Sequence, residues 1–509
     1  MSKQIQNRGI CPKCKHVVAV SHVEHNGKMY LSHQCPECGT TESLISSDAE
    51  RWSAKRELCQ YRGEAENTCS LRCMECNHGK SPTLVFLDVT NRCNMNCPIC
   101  LANLDAMGFC FNPPMEYFKK VFQYLSQHEP KPRIQLFGGE PTCREDLVDI
   151  INCAAEYGLS ARIVTNGIRF ANEEYCKKIL ATGTQLMFAF DGRSPDIYQK
   201  LRNNPRAYDI KLKGLANVKK HYTSKVTIMC CAGIGVNEDY MGDLIEFCHE
   251  NKDFIAALDL IPLAETWGPE KVDAGDTTIE DVERMIRNAL PGTEFVPAGI
   301  LYKFKTYRES FNIGRLTFGG AHPNCEMVTA LLSDGTRYRP LSDFLKHSIG
   351  EVTRRALEKD EEMEKKIHRN ILCKMFGKRG RQALLVLSLI KFILQNVNLK
   401  AVFGDKYIFK ILKFIWGLIR GKEAKTLFRT YTTCHHILRM IILPFEEPRC
   451  VESARLVECP ASFAYEHPIT NDIHLMPVCS WAIYKDGILR ATAAKYGDSS
   501  SETTASSGV

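Results

Sequence analysis

An apolar segment that leads directly into three closely spaced cysteines constrains this chain more than any other feature of its sequence. Residues 85–90 are typical of a buried strand, and a CxxxCxxC pattern follows, formed by Cys93, Cys97 and Cys100. Three thiolates can hold three irons of a 4Fe–4S cluster and leave the fourth iron open to a small molecule. The pattern predicts such a cluster, with a zinc knuckle or a chance grouping of cysteines as the alternative.

Residues 81–290 alternate short apolar segments with stretches long enough for helices. This alternation is typical of parallel strands joined by right-handed crossovers. Six such units predict an α/β fold, a partial (β/α)6 barrel, with its active site at the carboxyl ends of the strands. The expected strands are Val85–Thr90, Ile134–Gly138, Ala161–Thr165, Leu186–Asp191, Val226–Ile234 and Leu258–Leu263, and expected helices include Met115–His128 and Glu145–Tyr157.

A second motif, Gly138-Gly139-Glu140, ends the second expected strand, about 40 residues after the cysteines. Glycines let the backbone approach a ligand closely, and the carboxylate of Glu140 can accept a hydrogen bond from a cationic amine. The CxxxCxxC loop, its Asn-Arg lead-in and this motif together resemble the radical S-adenosylmethionine (SAM) superfamily.

The resemblance implies that SAM binds the open iron and is cleaved by one electron to a 5′-deoxyadenosyl radical, with Glu140 receiving the SAM ammonium group. Further strand ends resemble positions that contact the ribose and methionyl parts of SAM. Arg202 resembles an arginine near the SAM carboxylate, although a solvated helix residue is an equal alternative. The residues expected to bind SAM are Gly138, Gly139, Glu140, Thr165, Asn166, Asp191, Arg202 and Asn237.

The first 50 residues contain two cysteine pairs, Cys11/Cys14 and Cys35/Cys38, separated by 20 residues. Four thiolates so arranged can form one tetrahedral site, which suits zinc or a mononuclear, rubredoxin-like iron. His25 and His33 are interpreted as bystanders.

A third group of cysteines lies in the connector, residues 51–80. Four thiolates close a 4Fe–4S cluster with no open iron, so this group predicts an auxiliary cluster. A second zinc site is the alternative, and His78 is a less favoured ligand. The expected ligands are Cys59, Cys69, Cys73 and Cys76.

Cysteine is the outlier of the composition, at 24 residues in 509. The close spacings suit metal centres better than disulfides, and the first residues show no long apolar run, so a cytoplasmic, metal-rich protein is expected. The net charge of +7 is mild for this length and does not predict nucleic-acid binding. Cysteines outside the spaced groups are interpreted as small apolar residues.

Residues 383–420 mix apolar and aromatic side chains with lysines, and no window reaches the roughly 20 uninterrupted apolar residues of a spanning helix. This pattern favours helices that lie on an anionic bilayer surface, peripheral at the inner face of the membrane. A pair of core helices with a solvated basic face is the alternative.

The whole arrangement resembles the tetraether lipid synthase family, often labelled 7,8-dihydro-6-hydroxymethylpterin methyltransferase-like. Members carry a rubredoxin-like iron and three 4Fe–4S clusters, and they couple two lipid tails by a carbon–carbon bond. The resemblance implies that Cys325, in a His-Pro-x-Cys segment, binds a C-terminal cluster with Cys459 and Cys479. The neighbours of the last two differ from the family's usual residues, and Cys434 or Cys450 is a candidate fourth ligand.

The resemblance therefore implies a lipid or other apolar substrate and a reduced donor such as ferredoxin or flavodoxin. A radical methyltransferase that acts on a pterin-like molecule is one alternative, and a membrane-surface iron–sulfur electron carrier is another. No catalytic residue beyond the cofactor ligands is assigned.

Composition and motif positions divide the chain into six regions. A strand hairpin is expected around residues 485–487 in the fifth of them. The regions are 1–50 (four-cysteine module), 51–80 (auxiliary cluster connector), 81–290 (radical SAM core), 291–440 (mixed, with basic amphipathic helices), 441–497 (C-terminal iron–sulfur region) and 498–509 (disordered tail).

Overall fold

Two β-sheets organise the chain, a small antiparallel one near the N-terminus and a large one that contains the six expected strands. The 498–509 tail, for which disorder is expected, lies outside the described residues. The computed structural model describes residues 6–61, 67–78, 82–100, 107–264, 272, 274–311, 320–369, 371–420, 422–445 and 447–497.

The six expected strands form a continuous parallel arrangement, β5 to β10, in which each strand pairs with the next along the chain. This confirms the predicted α/β fold class. Strands covered by helices read as near-continuous apolar runs, which is why the sequence revealed them. The strands are β5 (Leu84–Thr90), β6 (Arg133–Gly138), β7 (Ser160–Thr165), β8 (Gln185–Ala189), β9 (Val226–Ala232) and β10 (Ile255–Pro262).

The large sheet extends beyond these six strands at both edges. β14 (His436–Ile442) pairs in parallel with β10, and β15 (Ala461–Glu466) pairs in parallel with β5. Antiparallel strands then cover both edges of the parallel part. They are β11 (Val296–Pro297), β12 (Met327–Ser333) and β13 (Tyr338–Pro340) beyond β14, and β16 (Ile473–Pro477) beyond β15.

Helices cover the parallel strands, and their apolar faces fill the main core. In α2, for example, Tyr117, Phe118, Val121, Phe122 and Leu125 recur at helical spacing and are all buried. The helices of the core are α2 (Met115–Leu125), α3 (Leu147–Glu156), α4 (Glu173–Leu180), α5 (Pro195–Arg202), α6 (Ala207–His221), α7 (Met241–Glu250) and α8 (Ile279–Ala289), and α9 (Thr306–Ser310) follows.

The expected hairpin around residues 485–487 is wrong, because this stretch lies inside a long helix, α16 (Val478–Tyr496). Trp481, Ile488 and Leu489 are buried on one side of the helix. Helical spacing of these apolar side chains overrides the local turn signal of Asp486-Gly487. The hairpin lies earlier, between β15 and β16.

The N-terminal sheet consists of β1 (Arg8–Ile10), β2 (Val17–His25), β3 (Lys28–Cys35) and β4 (Gly39–Ser46), followed by α1 (Ala49–Leu58). It contacts the C-terminal part through Glu452, whose buried carboxylate bonds His22 at 2.9 Å. Burial alone would raise the pKa of Glu452, but His22 outweighs burial and lowers it. The buried Lys55 of α1 pairs with Glu280 of α8. The first contact holds the N-terminal sheet against the C-terminal part of the chain, and the second holds α1 against α8.

Residues 341–435 form a helical excursion between β13 and β14. Among the residues that the structure describes, no helix is long and apolar enough to cross a membrane. A short α15 (Ser453–Leu456) follows later, before β15. The helices of the excursion are α10 (Ile349–Arg369), α11 (Ile371–Asn396, with a break in helical geometry at Gly377), α12 (Leu399–Phe403), α13 (Tyr407–Ile419) and α14 (Ala424–Tyr431).

Candidate active site and metal centres

A cleft of about 980 Å³ opens at the carboxyl ends of β5 to β10. Parallel strands place their carboxyl ends on one side of a barrel, so residues distant in sequence meet there. The cleft brings together the cysteine loop, the Gly-Gly-Glu turn and two further strand ends. The predicted site residues that line it are Cys93, Cys97, Cys100, Gly138, Gly139, Glu140, Thr165, Asn166 and Arg202.

The Gly138-Gly139 turn lies directly against the cysteine loop. A Cβ atom on Gly139 would stand 2.1 Å from the carbonyl oxygen of Arg92, and one on Gly138 would stand 2.4 Å from that of Thr90. Gly138 also has a φ of +118°, which favours glycine. The two backbones are joined by a hydrogen bond from the Glu140 amide to the Arg92 carbonyl (2.8 Å). The glycines thus fix where the first cysteine stands.

Glu140 is buried and joins the ends of β6 and β7. Its Oε1 accepts bonds from the Thr142 amide (3.1 Å) and from the hydroxyls of Thr142 and Thr165 (2.7 Å each), and its Oε2 accepts one from the Asn166 amide (2.6 Å). Burial raises the pKa of Glu140 despite these bonds. Because Oε2 accepts only one of them, it retains capacity for an ammonium donor, whose charge would offset the burial.

Arg202, at the end of α5, forms a bidentate ion pair with Asp191. Its Nε lies 2.9 Å from Oδ2 and its Nη2 lies 2.8 Å from Oδ1, and Oδ1 also accepts the Cys231 amide (3.1 Å). Burial alone would raise the pKa of Asp191, but Arg202 outweighs it and lowers the value. Arg202 lines the cleft, and although burial raises the pKa of Cys97, the charge of Arg202 opposes that shift. A fixed cation therefore stands beside the cysteine loop.

Asn237 is fully buried and is not among the residues that line the cleft. Its amide donates to the carbonyls of Asp191 (3.2 Å) and Cys231 (2.8 Å), and its Oδ1 accepts the Gly233 amide (3.0 Å). The side chain holds the ends of β8 and β9 together and thereby supports Asp191. Its expected contact with SAM stays a prediction.

Sequence reasoning missed Lys211, a buried lysine of α6. Its Nζ donates to the Ala189 carbonyl (2.7 Å). Burial, and then the nearby Arg202, lower the pKa of Lys211 to about 8. Nothing in the sequence distinguishes it from the solvated lysines of the same helix, so only the fold reveals this second basic group near Cys97.

These residues fit a 4Fe–4S cluster and SAM. Three thiols share one cleft, which matches three protein ligands of a cluster with one open iron. Arg202 and Lys211 supply positive charge near Cys97, and Glu140 supplies negative charge near Cys93. One side of the cleft therefore suits an anionic cluster, and the other suits a cationic amine.

The four N-terminal cysteines converge as predicted. The Sγ atoms of Cys11, Cys14, Cys35 and Cys38 all lie within 4.8 Å of one another. The Cys38 amide donates to the Cys35 Sγ (3.4 Å), as in metal-binding knuckles. This set suits one tetrahedral zinc or iron ion.

The bystander histidines lie outside that ligand set. His33 is buried with its Nδ1 3.3 Å from the Thr41 carbonyl, and His25 bonds Glu42 at the surface. A second, more exposed grouping combines Cys14 with His16 and Glu37. The four-thiol set is the better site because it is deeper and contains only thiols.

Cys69, Cys73 and Cys76 stand together against α16. Burial, and then these three thiols, raise the pKa of Tyr484 to about 12. His78 follows the three cysteines and packs against the C-terminal region, since its Nε2 lies 2.9 Å from the Cys459 carbonyl. The connector and the C-terminal region thus meet at one place.

The two C-terminal cysteines also lie at this place. Cys459 packs against the apolar cluster that contains Cys73, and Cys479 packs against the cluster that contains Leu71. Ser480, the neighbour of Cys479, bonds the Cys73 thiol. The fold therefore brings the C-terminal cysteines beside the connector triad, which spacing alone did not indicate.

Cys59 lies at the C-terminal end of α1. It packs with Ile300 and Leu357, and its carbonyl accepts a bond from Lys303. Burial raises its pKa to about 12, and the nearby Lys303 opposes this shift. Its expected place among the auxiliary cluster ligands stays a prediction.

Cys325 lies in a segment that contacts the same α1 region as Cys59. Asn324 accepts a bond from Arg56 (3.1 Å) and donates to the Trp52 carbonyl (3.0 Å), and the His322 ring lies 4.5 Å from that of Tyr61. The auxiliary ligand sets stay predictions.

Cys434 and Cys450, the two candidate fourth ligands of the C-terminal cluster, have different neighbours. Cys434 is buried with Leu332 and Phe344. Cys450 donates to the Leu44 carbonyl (3.5 Å) and lines a second cavity that Asn324 also lines. Of the two, only Cys450 lies near the His-Pro-x-Cys segment.

Gly139→Ala is expected to displace the cysteine loop, because the added methyl group would meet the Arg92 carbonyl at 2.1 Å. Anaerobically reconstituted variant should bind about four fewer irons per chain, one cluster's content. Iron and sulfide analysis measures this. Gly242→Ala is the control, since its Cβ would meet nothing closer than 3.8 Å. Full iron content in Gly139→Ala would show that the loop has room.

Asp191→Asn is expected to leave the guanidinium of Arg202 buried without its counter-charge, at a cost of about 3–5 kcal/mol in the free energy of unfolding. Urea denaturation of the reconstituted protein measures the difference. Asp243→Asn is the control, because Asp243 pairs with Arg193 near the surface and Arg193 keeps Glu250. That change should cost less than about 1 kcal/mol. Equal effects would argue against a special role of the buried pair.

Cys35→Ser is expected to remove the single ion of the N-terminal site, because a hydroxyl replaces one of four converging thiolates. Iron and zinc, measured together by elemental analysis, should fall by one ion per chain. Cys153→Ala, which changes a buried thiol of the barrel core, should leave the metal content unchanged. An unchanged content in Cys35→Ser would exclude this ligand.

Comparison with known families agrees with this geometry. Residues 87–248 match the radical SAM superfamily, and residues 6–47 match the HMPTM N-terminal zinc ribbon domain. The first range contains the cysteine loop, the Gly-Gly-Glu turn and Arg202, and the second contains the four-thiol site.

Similar proteins are known over the whole length and over the core alone. The 7,8-dihydro-6-hydroxymethylpterin dimethyltransferase of Methanocaldococcus jannaschii is 27% identical over 93% of this chain and 92% of its own. The Fe-coproporphyrin III synthase of Methanosarcina barkeri is 30% identical over 36% of this chain and 42% of its own. Streptococcus suis SuiB bound to S-adenosylmethionine is 15% identical, with a TM-score of 0.35 over 55% of this chain and 69% of its own. With an N-terminal zinc ribbon, a radical SAM domain and a cleft that suits both SAM and its cluster, this chain is an enzyme of the radical SAM superfamily.

Proposed function

We propose that the enzyme abstracts hydrogen from unactivated C–H bonds of lipid hydrocarbon tails and joins two such carbons by a C–C bond. The apolar wall of the cleft carries this proposal. Beyond the cysteines and the Gly-Gly-Glu turn, ten of the thirteen other lining residues are apolar, and the polar ones are Thr165, Asn166 and Arg202. The apolar ones are Met95, Ile99, Phe137, Val164, Ala189, Met229, Ile261, Pro262, Leu263 and Ala264.

A second cavity of about 610 Å³ adjoins the first, and Pro262 and Ala264 line both. Its lining includes charged side chains, among them Asp276, Glu447 and Arg449, and it reaches β4 of the N-terminal module. The two spaces together suit a molecule with an apolar part near the cysteine loop and a polar part near the module. A polar lipid has this character.

Aromatic side chains border both spaces. The ring of Phe86 lies 5.7 Å from that of Phe137, which lines the cleft, and 6.4 Å from that of Phe445, which lines the second cavity. The rings of Phe463 and Trp481 stack behind them at 4.8 Å. These rings form an apolar boundary beside the cleft, which suits a radical reaction that must be shielded from water.

When bound, the reduced cluster and SAM supply a 5′-deoxyadenosyl radical, which takes one hydrogen atom. Each abstraction consumes one SAM and one electron and leaves 5′-deoxyadenosine and methionine. Two abstractions convert two C–H bonds into one C–C bond, and the two electrons come from a donor such as reduced ferredoxin or flavodoxin. The residues of the cleft hold the tails and keep water away, while Glu140 and Arg202 orient SAM.

Methylation of a pterin-like molecule is the second candidate. It is favoured by the similarity to the 7,8-dihydro-6-hydroxymethylpterin dimethyltransferase of Methanocaldococcus jannaschii and by the charged lining of the second cavity, which suits a polar heterocycle. It is less favoured by the apolar lining beside the cysteine loop.

Product analysis separates the two candidates. Reconstituted enzyme with SAM and reductant is incubated with phospholipid in detergent or with 7,8-dihydro-6-hydroxymethylpterin. Coupling gives a mass equal to two lipids less two hydrogens, with two deoxyadenosines per bond, whereas methylation gives a pterin heavier by one methylene. Neither product, with deoxyadenosine formation indifferent to both additions, would refute both candidates.

Ile261→Glu tests the apolar wall, because it places a carboxylate in the cleft. Lipid-dependent product should fall at least about tenfold, since an unpaired charge is costly there, while slow SAM cleavage without substrate persists. Ile469→Glu is the control, as Ile469 is 84% exposed on the β15–β16 hairpin. Undiminished coupling in Ile261→Glu would count against the wall as the tail site.

A further inference from the structure

Exposed apolar side chains concentrate in one short part of the chain. Of the seventeen large apolar side chains that are exposed among the described residues, twelve lie between residues 371 and 422. Isolated exposed apolar residues are ordinary, but a concentration on helices of one short segment of the chain marks an interaction surface. This segment contains α11, α12 and α13.

The exposed residues of α13 form a stripe. Ile408, Leu412, Ile415 and Trp416 recur at helical spacing and are 63%, 60%, 47% and 57% exposed. The opposite side of the helix is already packed, because the Phe414 ring contacts those of Phe403 (5.9 Å) and Phe428 (6.4 Å). The stripe is therefore a second apolar face that the fold does not use.

α11 carries a stripe of the same kind. Leu387, Ile390 and Leu394 recur at spacings of three and four and are 67%, 50% and 52% exposed. Leu385 is buried on the other side. The exposed faces of α11 and α13 together are called the α11–α13 surface.

Positive charge accompanies this surface. Between residues 371 and 422 the only acidic residue is Asp405, against eleven basic ones, so the segment's charge exceeds the net +7 of the whole chain. Two of the bases lie over exposed rings, Lys413 at 4.4 Å from Phe409 and Arg420 at 5.1 Å from Trp416. The bases are Lys374, Lys378, Arg379, Arg381, Lys391, Lys400, Lys406, Lys410, Lys413, Arg420 and Lys422.

We propose that the α11–α13 surface docks the enzyme on an anionic phospholipid bilayer. Apolar side chains flanked by lysine and arginine, with aromatic rings beside the cations, match the boundary between acyl chains and negative headgroups. A second copy of the chain is a poor occupant, because pairing would bring two strongly basic segments together. The proposal goes beyond the proposed function and holds for either candidate substrate.

Vesicle flotation tests it. Full-length reconstituted enzyme is mixed with vesicles of phosphatidylcholine alone or of phosphatidylcholine with phosphatidylglycerol. Binding should require phosphatidylglycerol and weaken at high salt, because screening reduces attraction to the headgroups.

Two variants separate the apolar and charged contributions. Ile408→Asp combined with Leu412→Asp, and Lys391→Glu combined with Lys413→Glu and Arg420→Glu, should each reduce bound protein about tenfold or more. Their matched controls are Ile469→Asp, and glutamate at the exposed Lys119, Lys178 and Lys213. The docking variants should cleave SAM without substrate at the wild-type rate, because neither change touches the cleft.

Three outcomes would overturn the docking proposal. These are absence of binding to any vesicle, binding by the variants equal to that of the controls, or concentration-dependent dimers that Ile408→Asp with Leu412→Asp abolishes while vesicles bind nothing. Retained SAM cleavage in the same preparations would show that docking, and not the radical chemistry, had failed.

Discussion

The close contact between the Gly138-Gly139 turn and the cysteine loop is the constraint on which the site depends. The Gly139 amide donates to the Thr90 carbonyl (2.7 Å) and the Glu140 amide donates to the Arg92 carbonyl (2.8 Å), so the ends of β5 and β6 continue as paired backbone past the sheet. No side chain fits between them. The position of Cys93 is therefore set by backbone geometry rather than by flexible side chains.

Two buried carboxylates connect the other strand ends that form the cleft. Glu140 bonds the end of β7, and Asp191 bonds the Cys231 amide at the end of β9 as well as Arg202. Each carboxylate accepts several hydrogen bonds, which rigidify the rim of the cleft. Four consecutive strand ends thus hold one surface that is basic near Cys97 and acidic at Glu140.

The parallel core could be predicted from the sequence because its strands are buried on both faces and follow one another in order. β14 and β15 could not be predicted in this way, since β14 pairs with β10 and β15 pairs with β5, and both partners are far away along the chain. The local sequence of residues 436–442 does not show that this strand extends the parallel sheet beside β10. The error at residues 485–487 has a different cause, because a local Asp-Gly turn signal competed with packing that only the fold supplies.

The metal centres also divide into one that the local sequence predicts and others that only the fold can reveal. Cys11, Cys14, Cys35 and Cys38 could be assigned because knuckle pairs determine their own geometry. The auxiliary cysteines could not, since short spacing reports only on neighbours in sequence. The fold places Cys459 and Cys479 beside the 69–76 triad and Cys59 beside the segment before Cys325. Lys211 illustrates the remaining case, a residue whose role near Cys97 is created entirely by burial.

The helical excursion is attached so that it leaves the site undisturbed. It departs after β13 and returns at β14, and both strands pair with β12, where Ser333 faces His436 across the sheet. The His435 amide closes this junction on the Ser333 carbonyl (2.8 Å). Because the excursion begins and ends beside the same strand, β12, its helices can carry a basic apolar surface without changing the strand ends that hold the cleft. The chemistry and the proposed docking are therefore separable in the structure.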